Sequence, residues 1–590
     1  MGGDATVRRG PWSLGWTYRG LYGIGLACLL ATGASNLAIP FLLRRAFDGL
    51  EAGEPRSYLL TCALLMAGVA LARMLVRTIS RICVLGASRR VMADLREVVF
   101  RHLQRLPVSW FDATPTGDTV SRIIGDLAHV RSLFGPVVLN LTNTFALYAA
   151  ALVLLVSLDP LLAFAALVPQ AALAVVVRGL SKRTFRESTR AQQELARISS
   201  RLAEVIEGLT VLRAAAQERV EGARLDGLAE GYCRAQGRFA RNRSYLVAVM
   251  GLVAAGGQLC VLALGGRQVM AGHLSLGDFV AFTSALAMLS WPTIALGWVL
   301  NALQRGRAAL ARIDTLLEQE PEPADDRVDR TADETTRGQS LTVRNLRHGF
   351  DADAPPVLDG LDFSLPAGGL LGLVGPPGAG KSTLLSILAG LRPTEPGKVL
   401  RGDVDLASLA PSRAREGVGL VSQEPFLFSR SLGDNVRYGR PGDQDAERLR
   451  RSVVDSGLED DLVQLPDGLD TVVGERGVTL SGGQRQRATL ARALHAEPSL
   501  LLLDDSLSAV DAVTETAILA SLRRRRAEGG WTELRVASRL TAVVECDEIL
   551  VLDRGRVIDR GRHDELIERE GWYSRTWQEQ ERQRELEELA

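Results

Sequence analysis

The stretch GLLGLVGPPGAGKSTLL, Gly369 to Leu385, decides how the second half of the chain folds. Leu370–Val374 is a short continuous apolar run, as expected of a strand buried on both faces of a parallel sheet. It enters Gly375-Pro376-Pro377-Gly378-Ala379-Gly380-Lys381-Ser382-Thr383, which satisfies GxxxxGK[ST], and a helical pattern follows. Glycines let backbone amides face inward around an anion, and the start of the next helix adds its dipole. The pattern therefore predicts a strand–loop–helix cradle for a phosphate chain. Lys381 is placed to reach the outer phosphates and Ser382 to ligate magnesium. Only three lysines occur in 590 residues, Lys182, Lys381 and Lys398. Arginine is the default cation, yet lysine stands where a planar guanidinium could not replace a compact ammonium.

Working outward, PSLLLLDD (Pro498–Asp505) reads as a second buried strand, ending in Asp504. That carboxylate is expected to hold magnesium through water. Strand and helix patterns alternate from about Leu341 to Tyr573, which predicts an α/β nucleotide-binding domain over 341–580. Before it, 311–340 is acidic, polar and proline-bearing, the mark of a linker. After it, 581–590 belongs to a charged helix read as solvated.

Residues 1–310 are a different material. Apolar runs predict six membrane spans near 22–43, 58–78, 136–158, 160–181, 245–266 and 279–304, an all-α domain. Segment 73–135 carries ten arginines, and 178–244 is also arginine-rich, whereas the short connections carry few. By the positive-inside rule both long loops, both termini and the α/β domain are expected to face the cytoplasm, in an integral membrane protein. Formal net charge is zero, which gives no footprint for nucleic acid. The six cysteines show no metal or disulfide spacing.

VTLSGGQRQRATLARAL (Val478–Leu494) narrows the class. With the P-loop and the LLLLDD strand, it resembles an ATP-binding cassette protein. The resemblance implies that Leu480, Ser481, Gly482, Gly483 and Gln484 cap the ATP held by the opposite subunit, with Asp511 of SAVD as a dimer contact. It implies that Phe350 stacks on adenine and that Gln423 joins Ser382 and Asp504 around magnesium. GERG (Gly474–Gly477) resembles the cross-talk segment of exporters. Six spans ahead of one cassette resemble the half-transporters of type IV exporters. Loop tips, the coupling helices, are then expected near Gly125–Val130 and Thr210–Ala214.

Two positions depart from the family pattern. Its catalytic base is a glutamate after the magnesium-holding aspartate; here that position is Asp505. Its switch residue in VASRL is histidine; here it is Ser538. A general base must come within about 2.6–3.2 Å of its proton or act through one water, and aspartate is a methylene short. With Gln423, these complete the expected catalytic set. Everything for binding ATP and Mg²⁺ is kept. The chain therefore resembles the degenerate-site subunit of bacterial heterodimeric multidrug exporters. The implied partner is a second half-transporter, with a homodimer as the alternative. The implied cargo is a hydrophobic or amphipathic drug, lipid or peptide. A nucleotide-gated channel or regulatory subunit, and more remotely a soluble cassette ATPase, are the competing classes.

Overall fold

The computed structural model describes residues 11–323, 339–350, 354–474, 477, 479–528 and 530–588. Among them the chain divides into two compact units: residues up to Arg105 with Thr114–Glu320, and Leu106–Ala113 with the residues from Pro321 onward.

The first unit is helical. Its main helices are α1 (Arg19–Ser35), α2 (Ala38–Glu51), α3 (Arg56–Leu103), α5 (Val138–Leu158), α6 (Pro160–Glu207), α7 (Leu209–Ala214), α8 (Glu218–Met270), α9 (Leu276–Met288) and α10 (Ser290–Leu317). Helix α4 (Val108–Ala113) belongs to the second unit. Four helical segments among the described residues are long and apolar enough to cross a bilayer: Arg19–Glu51, Arg56–Leu103, Arg122–Leu158 and Glu218–Met270. The 48 residues of α3 extend for about 70 Å, far beyond a hydrocarbon core of roughly 30 Å. Helices of this length continue out of the membrane without a break, as the turn-free sequence after residue 73 predicts.

Small residues let the helices approach. A Cβ on Gly25 would lie 2.5 Å from Val84 Cγ2, and one on Gly33 2.6 Å from Ala146 Cβ. The expected first span is broken at Asn36–Leu37, where Asn36 Oδ1 accepts from the Arg73 guanidinium at 2.8 Å. Helices α6 and α8 run antiparallel beside each other, pinned by Arg238–Glu187 (3.2 Å) and Arg201–Glu221. Their connection carries α7, where a loop tip is expected. The other expected tip, Gly125–Val130, lies in the first unit, with Asp126 held by Arg312 at 2.8 Å. It is α4 that joins the second unit, through Asp112 and Arg392 (2.5 Å).

The second unit has two sheets. Its strands are β1 (Leu341–His348), β2 (Leu358–Leu365), β3 (Leu370–Val374), β4 (Val399–Arg401), β5 (Val404–Asp405), β6 (Val418–Val421), β7 (Leu500–Asp504), β8 (Thr532–Val536), β9 (Glu548–Asp553) and β10 (Arg556–Gly561). A four-stranded sheet has the order β2-β1-β4-β5, antiparallel throughout. A six-stranded sheet has the order β10-β9-β3-β8-β7-β6, parallel except at the β10 edge. Every residue of β3, β7 and β8 is buried, which explains their unbroken apolar or paired sequences. Leucines from both sheets and from α11 (Lys381–Leu388) share one core, including Leu341, Leu361, Leu373, Leu384 and Leu502. The parallel strands all end at one edge. Residues 375–382, 422–423, 504–505 and 537–538 therefore leave the sheet together, the position where open α/β sheets bind ligands.

Candidate nucleotide site

The P-loop owes its shape to three glycines with positive φ: Gly375 (148°), Gly378 (80°) and Gly380 (98°). At Gly375 a Cβ would sit 2.0 Å from the Leu552 carbonyl oxygen, so no side chain fits. Lys381 Nζ donates to the carbonyls of Gly375 (2.8 Å) and Pro376 (3.0 Å), folding the ammonium back over the loop. Burial lowers its pKa, opposed by the charges of Asp505 and Asp504. Asp504, at the end of β7, is pushed up by burial, opposed by a hydrogen bond with Ser382 and the Lys381 charge. The Ser382 hydroxyl and Asp504 carboxylate thus meet beside the lysine. Gln423 lies exposed two residues beyond β6.

Asp505 and Ser538, two separate departures in the sequence, are bonded to each other. The Ser538 backbone N–H (3.0 Å) and hydroxyl (2.8 Å) both donate to Asp505 Oδ1. The Asp505 N–H donates to the Val536 carbonyl at 3.1 Å, which stitches the ends of β7 and β8. Asp505 has φ +46°, a left-handed conformation that aspartate tolerates better than most residues.

The signature forms a second constellation. Ser481 caps α12 (Gly482–His495): its hydroxyl accepts from the Gln484 N–H (3.2 Å), and Gln484 Oε1 accepts from the Ser481 N–H (2.9 Å). Leu480 is buried in the core beneath it. A Cβ on Gly483 would lie 3.0 Å from the Ala509 carbonyl, which sets the signature against the SAVD loop. Asp511 caps α13 (Ala512–Ala527), accepting from the Thr514 N–H at 2.9 Å. That backbone bond heads the causes holding its carboxyl below the usual range. Of GERG, Gly474 and Gly477 are described; Glu475 and Arg476 lie outside the described residues.

Residues 22–293 match the family model of the ABC transporter transmembrane region, and residues 358–508 match the ABC transporter family model. A probable multidrug resistance ABC transporter ATP-binding/permease protein of Bacillus subtilis, YheI, is 31% identical over 582 residues, 96% of this chain and 97% of that one. The chain belongs to the ABC transporter family. An ATP-dependent lipid A-core flippase of Nitrosococcus oceani is 30% identical over 94% of this transporter and 92% of its own length. The solved structure of a bacterial Atm1-family ABC exporter with ATP bound matches at TM-score 0.78 and 27% identity, over 94% of this transporter and 98% of that chain. The protein is thus an integral membrane exporter whose cassette binds ATP and couples its hydrolysis to transport; exporters of this family act as dimers.

Two residues of the transporter lie outside the motifs. Arg392 covers the exposed Phe350 ring, with its guanidinium carbon 4.7 Å from the centroid, while bonded to Asp112 of α4. One arginine therefore touches both the expected adenine platform and a helix from the loop between spans. Gln580, in the helix read from sequence as solvated, instead bonds the switch backbone on both sides of Arg539. No motif signals either residue; both contacts depend on tertiary placement.

Proposed function

We propose that this transporter is one half of a heterodimeric exporter whose own composite site holds ATP and hydrolyses it slowly. The observation that carries this reading is the capture of Asp505 Oδ1 by both donors of Ser538. A general base needs a basic lone pair aimed at the attacking water, and two donors on Oδ1 lower the basicity of the carboxylate and tether its direction, leaving Oδ2 to act. Here the shorter carboxylate is turned toward the switch, and the switch residue spends its donors on it. The binding apparatus is complete: Lys381 for the phosphates, Phe350 for adenine, and Ser382, Asp504 and Gln423 around Mg²⁺. Hard oxygen donors already adjacent, as Ser382 and Asp504 are, suit that cation. Bound there, Mg²⁺ would neutralise phosphate charge.

The intact signature, Ser481 with the amides of Gly482 and Gly483, serves ATP on the partner's P-loop. The partner supplies the glutamate and histidine that this chain lacks. The six spans expected from the sequence, with their arginine-rich loops, support a reading with both termini and the cassette on the cytoplasmic side of a bacterial inner membrane. The apolar spans, together with multidrug and lipid A-core relatives, support a hydrophobic or amphipathic cargo. The test is ATPase activity of the purified chain in lipid, alone and with a co-encoded half-transporter. Turnover is expected only with the partner. Fast hydrolysis by the chain alone overturns the proposal.

A further inference from the structure

Helix α14 (Trp572–Glu588) crosses the cassette beside the switch. Tyr573, Trp577, Gln580 and Arg584 repeat at helical spacing, so they share one face. Tyr573 is fully buried and its hydroxyl meets His563 Nδ1 at 2.8 Å; Trp577 packs on the core that holds Leu540 and Val543. That anchor brings Gln580 onto the switch backbone. Gln580 Nε2 donates to the Ser538 carbonyl at 2.9 Å, and Gln580 Oε1 accepts from the Leu540 N–H at 2.9 Å. A carbonyl can only accept and an amide N–H only donate, so the pair fixes the orientation of the side-chain amide. One side chain thus closes on the backbone at both sides of Arg539. Arg539 in turn reaches Glu515 of α13 (3.3 Å), the helix that starts at Asp511.

We propose that Gln580 is a positioning residue: by holding the switch backbone it aims the Ser538 N–H and hydroxyl at Asp505, so that α14 controls the nucleotide site without touching nucleotide. Three points fix residues 538–540: Asp505 from the strand side, and both ends of the Gln580 amide from the helix side. Glutamine is the side chain for this task, because it alone offers a donor and an acceptor at that reach. Alanine would remove both bonds. Glutamate would keep the acceptor for Leu540 and lose the donor for Ser538.

The inference rests on Asp505 and Ser538 being a held pair. ATP turnover tests the slow site, whereas amide exchange tests the positioning, so each can fail without the other. The experiment is residue-resolved hydrogen–deuterium exchange on the full-length chain in lipid nanodiscs, without nucleotide. Losing one or two hydrogen bonds predicts exchange at Ser538 and Leu540 about tenfold faster in Gln580→Ala. Exchange in β8 should stay unchanged, which separates a released switch from an unfolded cassette. Gln580→Glu should keep Leu540 slow and release Ser538. In Asp505→Ala the Ser538 amide is already free, so adding Gln580→Ala should change it less than about twofold, the non-additivity of coupled residues. Unchanged exchange at 538–540 in both Gln580 variants, or fully additive effects with Asp505→Ala, overturns the proposal.

Discussion

If the proposed slow site is correct, restoring a working base should require two substitutions, because on that reading Asp505 and Ser538 disable it together. Asp505→Glu lengthens the side chain by one C–C bond, about 1.5 Å. That is the right size to matter, since a misplacement near 1 Å can cost about a hundredfold in rate. Yet the carboxylate is also engaged by the Ser538 N–H and hydroxyl, at 3.0 and 2.8 Å. Hydrogen bonds to a charged group are each worth about 1.5–3 kcal/mol, and solvent exposure at the switch argues for the low end. Together they sum to about 3 kcal/mol, roughly a hundredfold bias against a free carboxylate. A glutamate would also have to occupy φ +46°, a conformation in which aspartate is enriched. Asp505→Glu alone should therefore raise hydrolysis less than about tenfold, and Ser538→His alone should leave a base too short. The double variant should gain about a hundredfold or more. The assay is phosphate release by the chain in proteoliposomes, with the partner's catalytic glutamate replaced when a partner is present. If Asp505→Glu alone equals the double variant, reach was the only defect and the Ser538 bond plays no part.

Three further outcomes follow from the same geometry. Lys381→Ala should weaken ATP binding by about ten- to a hundredfold, read by fluorescent-nucleotide titration, because it removes charge-assisted contacts that no other lysine can supply. Asp504→Asn should raise the thermal midpoint of the nucleotide-free transporter at neutral pH while weakening magnesium-dependent ATP retention at this chain's own site. Burial raises the Asp504 pKa, so the wild type carries a costly buried charge above that pKa and sheds it below; the variant's advantage must shrink as pH falls through it. Arg392→Ala should change ATP affinity only about two- to fivefold, since an exposed ion pair and an exposed cation–π contact are each worth under about 1 kcal/mol. It should nevertheless reduce stimulation of the ATPase by transported compounds, because it cuts the link between α4 and Phe350.

What could be read from the sequence divides along local and tertiary lines. The P-loop was legible because its glycines answer a local demand, positive φ at Gly375, Gly378 and Gly380, at the fixed spacing of the motif. The buried strands β3 and β7 were legible because an apolar run between turns admits few other readings. Asp505 and Ser538 stood out one by one against a family pattern, but their bond joins residues 33 positions apart and has no local signal. The tip at Gly125–Val130 went astray for a related reason. The helical pattern continues through that region, and only packing shows that Leu106–Ala113, behind the break at Pro107, joins the second unit. Gln580 was hidden by composition. A helix rich in Glu and Arg reads as solvated, and one glutamine on the Tyr573–Trp577 face does not disturb that average.

The asymmetry between the two constellations limits what this half can do. The signature depends on a capping box and on Gly483 packed against Ala509, and both are intact. A cassette that had merely decayed should lose the two sites alike. On the proposed reading the departures fall on the side that acts on the attacking water of its own ATP, while the side that would face a partner's ATP is kept. They also compensate each other: the serine hydroxyl and N–H satisfy the carboxylate that the shorter aspartate leaves behind. A mutually bonded pair holds the switch in one arrangement. On the proposed reading that combination suits a site that retains nucleotide, and a retained ATP would keep this side of the dimer closed while the other side turns over.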